Sequence, residues 1–325
     1  MKSALITICK LVITGLFFFY IFTRIDFHQF VETLRGARLD ILLAGFAVLW
    51  LGHFICIYRW RMLMRPLMPV PTIANLFGVY CIGMFFNLTF PTIIGGDIVK
   101  VYYAGKPTNS YAQSFASTFL DRDAGMFAMM IIACAAICFY PITVPGIPVV
   151  PILWGVFLLF VLGNIAIFKA RFYRLLNAML GKLRFKKILS KIDMISGAFQ
   201  IMGKQPAILW GALAISFVNQ LLVIATTWIL AIGLGIKIPM FYFLIFVPVI
   251  TLISMIPVSL NGMGLREYSF MSLFGAIGVS RESCIALGLL SSIIIILSSL
   301  PGGIVYILFR NKTDRRQMAE LETGF

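Results

Sequence analysis

Eight apolar runs, most close in length to the interior of a lipid bilayer, leave this chain few ways to fold. They cover residues 4–23, 39–58, 73–90, 114–140, 148–168, 207–230, 239–256 and 284–309. A helix needs ~20 apolar residues to cross the hydrocarbon core. In lipid every backbone N–H and C=O must be satisfied within the protein, and for runs of this length that means helix. Charged residues make up only 12 % of the chain, against about 25 % in a soluble domain. The reading is all-α: a polytopic helical membrane protein. So little lies outside the runs that residues 1–310 read as one transmembrane domain, with 311–325 as a polar cytoplasmic tail. The first run is long for the apolar core of a signal peptide, and no small-x-small cleavage site follows it. It is expected to stay as the first helix.

Two of the runs end in helix-breaking segments that carry charge. Residues 91–100 read PTIIGGDIVK and residues 257–266 read PVSLNGMGLR. In each, a proline is followed five residues later by glycine and nine residues later by a base: Pro91, Gly96 and Lys100, then Pro257, Gly262 and Arg266. Matched breaks in the two halves of a membrane chain point to a transporter binding site.

The basic residues set the topology. Placing the N-terminus in the cytoplasm puts 21 of the 27 Lys and Arg there, and leaves Arg24, Arg35, Arg38, Lys237, Arg266 and Arg281 opposite. That asymmetry favours both termini inside, and it explains the formal net charge of +15 without nucleic acid. The chain then enters at Ile73 from the cytoplasm and is back there by Ser114. The short helical stretch after Asp97 ends near Gly105 and spans only ~14 Å at 1.5 Å per residue. Residues 73–105 therefore read as a hairpin that turns inside the membrane, and residues 239–277 as its counterpart from the other face. The fold expected is a bundle with two inverted, re-entrant helical hairpins. The loop 169–204, with Lys182, Arg184, Lys186, Lys187 and Lys191, reads either as an amphipathic helix on an anionic leaflet or as a solvated connector.

Broken backbone at this depth must be buried in protein or line a wet cavity. Free amides at the tips, around Gly95, Gly96, Gly262 and Gly264, together with the positive end of each following half-helix, favour an anion. Lys100 and Arg266 add full charge, and Arg can grip phosphate oxygens with two parallel bonds. The competing reading is that both breaks are kinks whose bases pair with carboxylates. Asp97 reads as a helix N-cap with room for a second role. Asp121, Arg122 and Asp123 cluster at the head of a helix, either as an interfacial anchor or as part of the site. Glu267 reads as a first-turn carboxylate over free amides, and Asn261 as a cap or turn residue. Arg59, Trp60 and Arg61 read as an interface anchor at the end of the second helix, and His53 as a packed histidine. The six cysteines lie in or beside apolar runs and read as packing residues, with no metal and no disulfide framework. No nucleotide loop or zinc-hydrolase motif is present, and no cofactor is expected.

The ordered set of PTIIGGD with Lys100 and Tyr102, Asp121-Arg122, PVSLNGMGLRE and Arg59-Trp60 resembles the lysylphosphatidylglycerol synthase transmembrane region, also called the flippase-like or UPF0104 family. The resemblance implies a flippase-like domain in a bacterial or archaeal inner membrane. In bifunctional members that domain is linked to moving aminoacylated phosphatidylglycerol between leaflets. The chain departs from the pattern at Asn261, where the family usually has Gly, and near Lys100, where a further base is usual. No aminoacyltransferase domain follows the last helix, so synthesis of the aminoacyl lipid is not expected. The function expected is translocation of an anionic or phosphate-bearing lipid, with Asp97, Lys100, Asp121, Arg122, Arg266 and Glu267 as the charged site residues. The alternatives are a membrane-embedded transferase acting on lipid-linked substrates, or a non-transporting accessory subunit of an envelope pathway. Other envelope-pathway proteins are conceivable partners.

Overall fold

The computed structural model describes residues 2–89, 95–139, 148–169, 186–256 and 258–308, and all regular structure among them is helical. The helices are α1 (Lys2–Phe22), α2 (Phe27–Arg35), α3 (Leu39–Met64), α4 (Ile73–Thr89), α5 (Gly95–Gly105), α6 (Tyr111–Phe139) and α7 (Val149–Ile167). They continue with α8 (Lys186–Gly203), α9 (Pro206–Gly233), α10 (Met240–Ser254), α11 (Leu265–Gly275) and α12 (Arg281–Ser299). α12 runs on through Leu300 as one apolar stretch to Leu308. Five of these stretches, α3, α6, α7, α9 and α12 with its extension, are long and apolar enough to cross a bilayer. The chain is a multi-pass membrane protein built wholly from helices.

α6 lies at the centre, packed against α3, α5, α7, α8, α9 and α10. Without a hydrophobic drive between helices in lipid, close approach comes from small residues, and the sequence supplies them at the crossings. Gly45 and Gly233 bring α3 and α9 together, with Leu230 against the first and Leu42 against the second. Gly302, just past α12, lies directly on the Cys81 carbonyl of α4.

α4 with α5, and α10 with α11, pack as antiparallel helix pairs. In the first, Gly83 on α4 faces Gly96 on α5, and Tyr80 faces Lys100 further along. In the second, Phe243 and Phe246 at the start of α10 meet Phe274 at the end of α11, each with ring centroids 5.0 Å apart. α5 ends at Gly105, as read from the sequence, but begins at Gly95 rather than after Asp97. Pro91 and Pro257 lie outside the described residues, as does the tail 311–325.

Three local expectations change. α2 was not anticipated: Asp26 caps it by accepting from the His28 and Gln29 amides, and Phe30 is its one buried side chain. Arg59, Trp60 and Arg61 do not follow a helix end but lie within α3, which runs on to Met64. Asp121, Arg122 and Asp123 sit about three turns into α6 rather than at its head. In the basic loop, α8 packs on α6 through Ala198, Phe199 and Met202. Lys182 and Arg184 lie outside the described residues, as do the side chains of Lys186, Lys187 and Lys191.

Candidate functional site

The first cluster forms where α5 crosses α4 and α6. α4 and α5 touch backbone to backbone at Gly83 and Gly96. The Gly96 amide donates to Asn87 Oδ1 at 2.8 Å, so this tip amide is satisfied from within the hairpin. Asp97, one residue on, does not act as an N-cap. Its Oδ1 lies 3.4 Å from Lys100 Nζ, and its Oδ2 accepts from Arg122 Nη1 on α6. One carboxylate thus ties α5 to α6 and neutralises two bases in part. Lys100 is buried at 8 % exposure, with its ammonium 4.4 Å from the centre of the Tyr80 ring and 5.9 Å from that of Trp60. An ammonium over aromatic faces recovers part of its lost hydration.

Behind it lies a second ion pair. Arg59 Nε donates to Asp121 Oδ1 at 2.7 Å and Arg59 Nη1 to Ser216 Oγ at 2.7 Å, joining α3, α6 and α9. Both partners are buried. Asp123 accepts from Asn164 Nδ2 on α7 at 3.1 Å. Two further polar atoms of the same region, Trp60 Nε1 and His53 Nε2, are buried with no hydrogen-bond partner among the described residues. Buried polar atoms are usually satisfied by protein or ordered water, so this is an interior with unmet hydrogen-bonding capacity.

The second cluster caps α11. Asn261, Gly262 and Gly264 all have positive φ, of 49°, 74° and 78°. Gly264 is confined to glycine twice over, because a Cβ there would also meet Phe17 Cβ at 2.6 Å. Glu267 behaves as expected of a first-turn carboxylate: it is fully buried, and its Oε2 accepts from the Gly264 amide at 2.6 Å. Its Oε1 accepts from Ser292 Oγ of α12 at 2.7 Å. Arg266 donates from Nη1 to the same Ser292 oxygen at 3.2 Å. No carboxylate lies within 4.0 Å of its guanidinium among the described residues.

The structure thus sorts the charged residues chosen from sequence. Asp97, Lys100 and Arg122 form one group with Asp121 beside Arg122 in the chain; Arg266 and Glu267 form another. No hydrogen bond or ion pair among the described residues joins the two. At the first tip the bases are paired with a carboxylate, as the kink reading expects. Gly96 and Gly264 serve close packing, and their amides are already bonded; Gly262 packs against the Ser254 carbonyl, and Gly95 is buried.

Sequence reasoning missed Arg59 and Trp60 as buried members of the network, and Tyr80, Asn87, Ser216 and Ser292 altogether. A polar residue recurring on an apolar helix was the available signal for Ser216, Ser292 and Asn87. Nothing local distinguishes Tyr80 from any other interfacial tyrosine.

The profile of the family described as Lysylphosphatidylglycerol synthase TM region matches residues 7–303. The chain belongs to that family. The match spans both hairpins and every helix that contributes to the two clusters, so the charged groups are features of a domain tied to lipid modification or movement. No curated protein and no solved structure matches the chain.

Proposed function

We propose that this protein moves a lipid with an anionic or phosphate-bearing head group between the leaflets of a bacterial or archaeal cytoplasmic membrane, with both of its own termini on the cytoplasmic side. The observation that carries the reading is Arg266. Among the described residues its guanidinium is held by one serine hydroxyl and has no carboxylate within ion-pair distance, and it stands in the first turn of a short helix inside an apolar bundle. An unneutralised cation at such depth is costly, and a phosphate is a partner that its planar fork fits. Glu267, spent on the Gly264 amide and Ser292, orients that corner rather than competing for the guanidinium.

The cluster around Asp97 plays the complementary part. Lys100 and Arg122 share one carboxylate, so a head group arriving there can take over one bond without stranding the other base. Membership of a family tied to lipid modification or movement supports this reading. Hairpins entering from opposite faces would give the inverted arrangement that alternating access uses.

The reading makes a topological prediction. Single cysteines at Gly105 and at Ile277 should react with impermeant reagents from opposite sides of the membrane, cytoplasmic for the first and external for the second. Labelling of both from one side would remove the inverted hairpins.

The site is tested by lipid flipping in proteoliposomes beside a melting curve for each variant. Arg266→Ala should abolish movement of a fluorescent anionic phospholipid while the protein stays folded, and Arg266→Lys should restore only part of it. Asp97→Asn should slow movement and also lower the melting temperature, because it leaves Lys100 and Arg122 without their shared acid. Wild-type flipping by Arg266→Ala would remove the anion site. Loss of fold together with flipping would make Arg266 a structural residue.

A further inference from the structure

Beyond both clusters, a cleft of about 400 Å³ opens between α3 and α4, lined by Phe54, Ile57, Tyr58 and Arg61 of α3 and by Ile73, Ala74 and Phe77 of α4. Its floor is aromatic: Phe54 and Phe77 stack with centroids 5.6 Å apart, and Trp50 lies 6.2 Å from Phe77. Phe54, Tyr58 and Ile73 are each more than half exposed, so the trough faces outward along a membrane-spanning helix. At one end, in the last turn of α3, stands Arg61.

Arg61 is unusual in two ways. Its Nε is buried, yet bonds nothing among the described residues. No carboxylate among the described residues lies within ion-pair distance of it either. The field at a helix C-terminus favours a base in the last turn. It does not account for a guanidinium whose buried donor has no acceptor among the described residues, since leaving such a donor unbonded is costly.

The volume falls within the ~300–1,000 Å³ of small-molecule pockets, which pair apolar walls with a few placed polar groups. We infer that the α3–α4 cleft binds one phospholipid, with its phosphate on Arg61 and an acyl chain along the Phe54–Phe77 trough. An apolar trough ending in an unpaired cation complements an anionic amphiphile, and a bilayer presents that molecule at this surface.

The location gives the site a use. Phe77 is one helical turn from Tyr80, whose ring lies under the Lys100 ammonium, and Trp60 of that same group adjoins Arg61 in the chain. A lipid held here stands on the outside of the wall whose inside is the Asp97–Lys100 cluster. The cleft is thus a lateral docking site next to the charged interior, and its occupancy does not depend on whether the protein moves lipid.

Binding can be measured on the whole protein in mild detergent, by native mass spectrometry or by quenching of Trp50. Three probes separate the contributions: palmitoyl lysophosphatidylglycerol, palmitoyl glycerol without the phosphate, and glycerol phosphate without the chain. The first should bind at least about tenfold more tightly than either of the others, the factor expected for charge-assisted hydrogen bonds. Arg61→Gln should erase the preference for the phosphate-bearing probe, and Arg61→Lys should keep part of it. Phe77→Ser should weaken both probes that carry a chain. The preference should survive in Arg266→Ala, which separates this site from the one proposed for transport. Equal binding of the two palmitoyl probes by the wild-type protein, or an unchanged preference in a folded Arg61→Gln, would overturn the assignment. Tight binding of glycerol phosphate alone would make it an anion site and not a lipid site.

Discussion

Replacing Arg59 by Met should lower the stability of the protein by about 3–5 kcal/mol, and replacing Asp121 by Leu at the same time should restore most of that loss. Arg59 and Asp121 are 4 % and 8 % exposed and bonded at 2.7 Å, with a second guanidinium nitrogen on Ser216. Taking one charge away leaves the other buried without a partner. Its desolvation is then uncompensated, and three helices lose the bond that registers them. Removing both charges trades an ion pair for apolar packing of similar volume, which is often close to neutral. The unfolding midpoint of the two single variants and the double variant, in a mild-detergent micelle titrated with a denaturing one, checks this. Losses that simply add in the double variant would show that the two side chains act independently.

Gly96→Ala should cost about 3 kcal/mol, the upper part of the range for overpacking, and should stop lipid movement. A Cβ at this position collides with the carbonyl oxygen of Gly83 and comes within 2.7 Å of Asn87 Cγ. The first obstacle is backbone and cannot rotate away, so α4 and α5 have to separate. Separation breaks the bond from the Gly96 amide to Asn87 and moves Lys100 off the Tyr80 ring. Gly163→Ala on α7 is the control, because a Cβ there meets nothing within 4 Å, and it should melt as the wild type does. An unshifted melting point for Gly96→Ala would mean that the helices are not in contact at this crossing.

Legibility followed the physics of each feature. The helices could be read because apolar runs of bilayer length have one structural solution in lipid. α5 and α11 could be bounded because glycine and proline act on their own local backbone. Glu267 over the Gly264 amide could be anticipated because an N-terminal carboxylate three residues on is a local arrangement. Asp97 looked like the same case and was not. Its partners come from a side chain one turn away and another on a different helix. Arg59 and Trp60 were misread for a related reason: an arginine beside a tryptophan near the end of an apolar run is also the pattern of an interface anchor. Only Asp121 and Ser216, distant in sequence, show that this arginine points inward. α2 escaped notice because its nine residues bury a single aromatic ring.

By itself the sequence determined that this chain is helical and membrane-embedded, that it breaks twice in matching places, and which acids and bases lie in its apolar stretches. These follow from hydropathy and from backbone propensities, which act over a few residues at a time. The tertiary structure alone decided which bases of the two clusters pair with a carboxylate among the described residues. Arg122 and Arg59 find carboxylates because α6 meets α5 and α3, and Lys100 shares Asp97 within α5, whereas among the described residues Arg266 bonds the hydroxyl of Ser292 and no carboxylate. Whether a charge in an apolar interior is available to a ligand depends on what lies within about 4 Å of it, since interaction energy there falls with distance in a weakly screened medium. That neighbourhood is built by residues far apart in the chain.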